Sequence, residues 1–115
     1  MAATKHTEKH LLTDTVAKAA SALTSHRFAN YQGATCVDAQ KAFGVFRDDC
    51  NIGDTPAVHC EGIAIVESAV AFSKGDPLTS DAQGRARVAA TGEAINGYAL
   101  AAATGVGELI PVHLK

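Results

Sequence analysis

Five histidines, at positions 6, 10, 26, 59 and 113, are the side chains best suited to bind a metal ion or abstract a proton. His6 and His10 are four residues apart, and on a helix that spacing would present both imidazoles to one metal. No carboxylate or third ligand is obviously supplied with them. His59 precedes Cys60, but adjacent residues of a strand point to opposite faces, so the two cannot easily share a site. We therefore expect ordinary surface or edge histidines, with no metal and no cofactor.

Two loops partly match ligand-binding motifs. Residues 48–54 begin like a calcium loop, but the alternation of ligands fails at Gly53. The twelfth position counted from Asp49 is Cys60, where a bidentate Glu is required. Residues 105–107, Gly-Val-Gly, lack the following Gly-Lys-Ser/Thr of a phosphate loop and precede a strand-like segment. We interpret the first loop as a solvated acidic turn and the second, ending at Gly107, as a β-turn between strands.

The cysteines and the known catalytic motifs give no sign of an enzyme. Cys36, Cys50 and Cys60 are odd in number and form no Cys-x-x-Cys pair, so we expect small buried or half-buried thiols. The chain contains no Gly-x-Ser-x-Gly elbow, no His-Glu-x-x-His run and no kinase-like motif set. An active site could still be assembled from scattered residues. Our prediction is nevertheless that the protein is not an enzyme.

Length, composition and charge indicate one domain that gains from contact with a partner. The apolar fraction of the 115 residues is 47%, but Ala dominates it, so the core buries little area per residue. The net charge is −2 with scattered basic residues, which argues against nucleic-acid binding. No apolar stretch of about 18 residues exists, and the N-terminus is polar. We expect no membrane segment and synthesis in a cytoplasm.

Residues 1–21 differ from the rest of the chain and predict an extended N-terminal arm. The segment has no Gly or Pro and few apolar residues. Leu12, Val16 and Ala20 could share a helical face, but Thr13 and Thr15 favour extended backbone. We expect an arm that becomes ordered against a partner, with Leu11, Leu12 and Val16 as contact residues. The alternative is a frayed tail without a role.

From residue 22 onward, Gly, Asp and Asn turns recur roughly every eight to twelve residues, which is typical of a sandwich or barrel. The sequence therefore predicts a mostly β domain over residues 22–115, either a compact small β-barrel or a sandwich. Residues 100–103 could instead form one helical turn, because Ala is the best helix former. The predicted strands cover residues 23–29, 34–37, 42–47, 56–60, 62–66, 77–79, 86–89, 95–102 and 109–114.

The stretch over residues 72–88 has two turn signals on either side of a short strand. In the first turn, Gly75 supplies positive φ, Asp76 can accept backbone hydrogen bonds and Pro77 fixes its own φ. In the second turn, Asp81 can accept backbone hydrogen bonds and Gly84 supplies positive φ. We interpret these residues as structural turns.

An internal repeat is also visible. Four landmarks recur with offsets that rise from 51 (84 − 33) to 54 (112 − 58). Such a nearly constant offset indicates two copies of one unit of roughly fifty residues, which would pack about a pseudo-twofold axis. The matched landmarks are Gly33 with Gly84, Gly44-Val45 with Gly97-Tyr98, Gly53-Asp54 with Gly107-Glu108, and Val58-His59 with Val112-His113.

Over residues 22–114 the chain resembles a known family. From Gly62 onward it has an apolar strand, the run Gly-Asp-Pro-Leu-Thr-Ser-Asp-Ala-Gln-Gly-Arg-Ala, a second apolar strand, and the run Ile-Asn-Gly-Tyr-Ala-Leu-Ala-Ala-Ala-Thr-Gly-Val-Gly-Glu-Leu-Ile-Pro-Val. Residues 22–28, 43–46 and 53–56 fit the same pattern. This pattern is similar to that of the small cement, or head-decoration, proteins of tailed-bacteriophage capsids. Its motifs are turns and carry no catalytic signature.

The resemblance implies a structural protein of the virion, made in the host bacterial cytoplasm. It would bind the outer surface of the assembled head, contact the major capsid protein and stabilise capsomer junctions. A homo-oligomer is expected, with a trimer first and a dimer second. The arm could add a strand to a sheet edge of the capsid. The alternative is a stand-alone β module that binds a glycan or small ligand, although aromatic residues make up 5% of the chain and Trp is absent.

Overall fold

The computed structural model describes residues 19–115 in full and residues 9–15 by their backbone. The described residues contain strands, turns and loops and no helix, so the alternative of a helical turn at residues 100–103 is wrong. The eight strands are β1 (Lys9–Thr15), β2 (Phe28–Ala29), β3 (Gly44–Phe46), β4 (Ala57–Glu67), β5 (Pro77–Ser80), β6 (Ala86–Val88), β7 (Gly97–Ala99) and β8 (Leu109–Leu114).

The strands form one antiparallel sheet that closes almost completely into a barrel. The order is β2-β3-β4-β8-β7-β5-β6, and β1 pairs with β4 beside this path. Near the seam, the Phe28 amide at the β2 edge donates to the Gly84 carbonyl, 2.7 Å away, in the turn before β6. The prediction of a mostly β protein with a small barrel is thus confirmed.

Several strand predictions are wrong in detail. Within residues 23–29, a turn precedes the two-residue strand β2. Residues 56–60 and 62–66 belong to one continuous strand, β4, which passes through Gly62 at a φ of 99°. Gly tolerates this left-handed conformation, so the strand is not interrupted there. Residues 34–37 form no strand and contribute a single bridge, from Ala29 to Thr35. An isolated apolar run of four residues is too short to distinguish a strand from a buried loop.

Strand β1 lies within the segment predicted as the arm. It runs antiparallel to β4, with Thr13 opposite His59, Asp14 opposite Val58 and Thr15 opposite Ala57. Val16 lies outside the described residues. The extended backbone expected around Thr13 and Thr15 is therefore present, whereas the domain boundary at residue 21 and the role of the arm stay predictions.

The predicted repeat is visible as two units with the same ladder, the first over residues 9–15 and 19–60 and the second over residues 61–114. In the first, β3 pairs with β4 through Val45 opposite His59 and Phe46 opposite Val58. In the second, β7 pairs with β8 through Tyr98 opposite His113 and Ala99 opposite Val112. The first strand of each unit also corresponds. In the first unit, β1 pairs with the first half of β4, and in the second unit, the second half of β4 pairs with β8.

Backbone hydrogen bonds outside the ladders recur in the same way. Four first-unit bonds have second-unit equivalents about fifty residues later, so the repeat is a property of the folded backbone. In the first unit these bonds join Ala19 to Asp54, Leu23 to Cys50, Phe43 to Ala29 and Arg47 to Ala57. In the second unit they join Ser68 to Glu108, Phe72 to Ala103, Asn96 to Leu78 and Leu100 to Pro111.

Glycines at equivalent positions allow two close strand contacts. A Cβ on Gly97 would lie 2.5 Å from Val112 Cγ1 and 2.7 Å from the His113 carbonyl oxygen. A Cβ on Gly44 would overlap the His59 carbonyl and the Val58 side chain. Both distances are below normal carbon contact, so each unit needs glycine at this position.

The core is built largely from small side chains, as the composition predicts. One cluster surrounds the large side chains of Phe28, Phe72 and Leu78 and includes buried alanines of β4, β6 and β7. A smaller cluster contains Phe46 and Val58 of the first unit. The buried area per residue is modest, which leaves room for stabilisation by contact with another surface.

Candidate functional site

The side chains that could perform chemistry do not converge. Among the described residues, no three His, Cys, Asp or Glu side chains lie close enough to hold a metal ion. His26 Nδ1 lies 3.1 Å from the Ile65 carbonyl oxygen, His59 is buried in β4 and His113 is exposed on β8. His6 lies outside the described residues, and His10 is described by backbone alone. In the described part of the chain, no helix is long and apolar enough to cross a bilayer.

Cys36 and Cys50 lie in surroundings that oppose reactivity. Burial raises the pKa of the Cys36 thiol to about 12, and the thiolate is the nucleophilic form. Desolvation, followed by the carboxylates of Asp54, Asp48 and Asp49, raises the pKa of Cys50. Cys36 is buried and Cys50 and Cys60 are half-buried, as the sequence predicts.

The second predicted turn is built around the buried carboxylate of Asp81. Its Oδ1 accepts hydrogen bonds from the amides of Gln83, at 2.9 Å, and Arg85, at 2.8 Å. Its Oδ2 accepts a third bond from Arg85 Nε at 3.0 Å. Gly84 has a φ of 79°, and a Cβ there would lie 2.7 Å from Thr35 Cγ2. Asp81 and Gly84 therefore lie where the units meet, because Thr35 belongs to the first unit.

The first predicted turn is open to solvent. Gly75 has a φ of 91°, and a Cβ added to it would have no other atom within 4 Å. Asp76 Oδ2 accepts the Ser73 amide at 2.8 Å. Pro77 is the first residue of β5, where a missing amide donor is tolerated. Gly107, with a φ of 87°, ends the loop between β7 and β8.

The predicted arm contacts are only partly described. Leu11 and Leu12 belong to β1, and Leu12 lies opposite Glu61 at an irregularity in the register with β4. Val16 lies outside the described residues.

Arg87 forms an ion-pair cluster that joins the two units. Its guanidinium contacts both carboxylate oxygens of Glu93 at 2.8 Å and those of Asp38 at 3.0 and 3.2 Å. The hydrogen bonds from Arg87 and then from the Ala90 amide lower the pKa of Glu93 to about 2. The bonds to Glu93 and Asp38 raise the pKa of Arg87. Since Asp38 belongs to the first unit, we assign this cluster a structural role.

Three exposed apolar side chains lie at one end of the second unit. We define the second-unit tip as residues 68–72 and 100–109, and its equivalent, the first-unit tip, as residues 19–23 and 47–55. In the second-unit tip, Val106 is 66% exposed, Leu109 is 50% exposed and Val70 is 42% exposed. Sequence reasoning did not name these three as contact residues. Extending the repeat alignment outward from Gly53 and Gly107 could have revealed them.

The first-unit tip has the same backbone framework with different chemistry. It carries Arg47, Asp48, Asp49 and Asp54, whereas the second-unit tip carries a single charged residue, Glu108. The hydrogen bond from the Ser25 amide to Asp49 Oδ1, at 2.7 Å, is the main reason that the pKa of Asp49 is lowered. One tip is therefore acidic and the other apolar.

Comparison with known proteins gives a family and a fold. The family model described as phage cement protein matches residues 6–114. No curated protein matches the chain. A solved structure titled the crystal structure of head fiber gp8.5 N base in bacteriophage phi29 superposes with a TM-score of 0.74 at 22% identity, covering 91% of this chain and 94% of that one. At this identity the likeness shows a shared fold. Because the family model spans almost all of its residues, the chain belongs to the phage cement protein family.

Proposed function

We propose that this protein binds the outer surface of the assembled phage head and stabilises the junctions between capsomers. A structural role in the phage capsid follows from its family. The observation that carries the finer proposal is the extent of the match, residues 6–114, which includes the whole described barrel. The phi29 protein of the same fold is titled a head fiber base, which supports attachment to a head.

A small rigid barrel can stabilise a shell by binding its assembled state. Any ligand that binds one state and not its competitor shifts the balance toward the bound state. A domain that contacts both sides of a junction also adds buried area that must be lost before the subunits separate. Many copies on a lattice then add many small contributions. The partner is the major capsid protein, reached in the virion after synthesis in the host cytoplasm.

Two further features belong to this proposal. The protein attaches as a homo-oligomer, with a trimer preferred over a dimer, so that several copies engage the lattice together. The arm over residues 1–21 contributes to attachment through Leu11, Leu12 and Val16. Light scattering on the purified protein gives the oligomer mass, and a monomer would remove the first feature.

Thermal release of packaged DNA tests the cementing role. Expanded heads lacking the protein are titrated with the purified chain, and the temperature at which DNA escapes is recorded at each concentration. We expect the temperature to rise and then to saturate at a fixed number of copies per capsomer, because lattice sites are countable. Unexpanded precursor shells serve as the control and should bind little. If bound heads release DNA at the same temperature as bare heads, the cementing role fails.

One observation supports a second candidate, a module that binds a glycan or small ligand. Tyr31 is 64% exposed, and its ring packs on Phe43 with centroids 5.3 Å apart. An exposed aromatic face can stack on a sugar ring. Binding of the isolated protein to a glycan array, abolished by Tyr31→Ala, would favour this function. No binding across the array would remove it.

A further inference from the structure

We propose that the second-unit tip is the surface that docks on the head, and that its occupant is an uncharged, apolar surface of the capsid shell. This inference rests on the proposed function and adds to it the face that makes the contact and the chemistry of the partner surface.

The three exposed side chains of the tip lie on two adjacent segments. The Gly107 amide donates to the Ser68 carbonyl at 2.8 Å, and Phe72 and Ala103 exchange both of their backbone hydrogen bonds. This antiparallel register places Val70 opposite Gly105, next to Val106. Leu109 lies three residues after Val106, at the start of β8, and pairs with Glu67. Val70, Val106 and Leu109 are thus exposed side chains of two hydrogen-bonded segments at the same end of the unit, and we call them the patch.

The fold does not require apolar residues at these positions. The first-unit tip makes the same backbone hydrogen bonds with Ser21 in place of Val70 and Thr55 in place of Leu109. Ile52, the equivalent of Val106, is 72% exposed but lies among carboxylates. A tip with polar residues at the Val70 and Leu109 positions thus makes the same backbone hydrogen bonds. The exposed parts of Val70, Val106 and Leu109 have an unfavourable solvation free energy that no internal contact offsets, which supports a role in contact with a partner.

The second-unit tip carries a single charged residue with which to select an ionic partner. Glu108 is the charged residue of the second-unit tip, and its carboxylate accepts the Thr104 amide at 3.0 Å and also the Thr104 hydroxyl. Beside the tip, Glu67 pairs with Arg27 at 3.1 Å. The partner surface should therefore be apolar, and binding should depend weakly on salt.

The size of the patch identifies the occupant. Three partly exposed aliphatic side chains cover far less than the roughly 800 Å² per partner that stable protein pairs bury. Two free copies could not hold together through this patch alone. A head offers the same site many times, and a homo-oligomer can engage several sites at once, so small contacts suffice there. These considerations favour the capsid shell over a second copy of the chain.

A pair of equivalent substitutions tests the assignment. Val106→Asp places a charge in the second-unit tip, and Ile52→Asp places the same charge at the equivalent exposed position of the first-unit tip. Each variant and the wild type are titrated onto expanded heads lacking the protein, and bound copies are counted after sedimentation. We expect Val106→Asp to weaken binding roughly tenfold or more, because a charge must be desolvated in an apolar contact. Ile52→Asp should change binding by less than about twofold.

Further measurements separate the outcomes. Val70→Ser lies outside the turn and should weaken binding in the same direction even if Val106→Asp lowers the melting temperature.

Equal binding of both tip variants and the wild type would overturn the assignment while leaving the proposed function intact. If the wild type does not bind heads, the proposed function fails and this inference with it. If Val106→Asp lowers the oligomer mass without changing head occupancy, the occupant is a second copy. A steep loss of wild-type binding with salt would contradict an apolar partner surface.

Discussion

Asn30 and Asp81 make the same turn in the two units. Asn30 Oδ1 accepts the amides of Gln32 and Ala34, each at 3.0 Å, as Asp81 Oδ1 accepts the amides two and four positions later. Both residues are buried, whereas Gln32 and Gln83, whose amides they accept, are exposed, so water could replace part of each turn if the side chain were removed. The amide of Asn30 and the carboxylate of Asp81 are thus interchangeable for the backbone, although only Asp81 can also bind Arg85 as an ion.

Removal of the Asp81 carboxylate should show the value of this turn. Asp81→Ala leaves two turn amides and the Arg85 guanidinium without this acceptor, so we expect a loss of about 1–3 kcal/mol in the free energy of unfolding. Asp81→Asn keeps the acceptor that Asn30 provides in the first unit and should lose roughly half as much or less. Urea denaturation of both variants checks this. Equal losses would mean that the ion pair with Arg85, rather than the turn, supplies the stability.

Gly84 and Gly75 separate backbone strain from steric overlap. Both have positive φ, but a Cβ on Gly84 meets Thr35 and the Phe28 carbonyl, whereas a Cβ on Gly75 meets nothing. Gly84→Val should destabilise by roughly 1–3 kcal/mol from strain alone and by more if Thr35 cannot move. Gly75→Val should show the strain without the overlap. Thermal unfolding gives both values, and an unchanged melting temperature for Gly84→Val would contradict the turn geometry.

Glu93 should make the protein sensitive to acid. Its pKa is about 2 in the folded protein against an ordinary value of 4.5, so its contribution to stability is complete above 4.5 and is lost as the pH falls toward 2. We expect Glu93→Gln to lose less stability than the wild type over that window. Urea denaturation at about pH 5 and about pH 2.5 measures the difference. Glu61→Gln, at an exposed position of β4, is the control. Parallel pH profiles for wild type and Glu93→Gln would refute the role of the ion pair.

Two truncations test the predicted arm. Removing residues 1–8 leaves β1 in place, whereas removing residues 1–21 also deletes Leu11, Leu12 and Val16. If these three anchor the protein, the longer truncation should weaken attachment to heads at least tenfold, about 1.4 kcal/mol per site. The shorter truncation should bind as the full chain does. Because β1 pairs with β4, melting temperatures must accompany the binding data. Equal occupancy by all three proteins would exclude the arm as an anchor.

Local turn chemistry made the barrel predictable. Two turns could be predicted from the residues Gly75, Asp76, Pro77, Asp81 and Gly84. Such turn signals depend on neighbouring residues alone. The repeat was visible for a related reason: Gly44 and Gly97 are each required by a close contact with the adjacent strand, so they persist where other residues diverge.

Features that depend on distant contacts were not predictable in this way. Strand β1 has little apolar patterning, and its pairing with β4 supplies the structure that its own sequence does not. The second-unit tip places the segments of Val70 and Val106 side by side, and the sequence of neither segment predicts this contact between segments. The Arg87 cluster likewise draws on Asp38, far away in the chain. Sequence reasoning therefore predicted the turns but not the exposed apolar surface of the second-unit tip.

Strand β4 has a consequence for how the protein unfolds. Its first half carries the ladder to β3 in one unit, and its second half carries the ladder to β8 in the other, without a break at Gly62. Neither unit can lose its ladder without freeing a segment that the other unit holds. The two repeated units should therefore unfold as a single cooperative unit instead of as two independent domains. A calorimeter should record one endotherm whose van't Hoff enthalpy equals its calorimetric enthalpy.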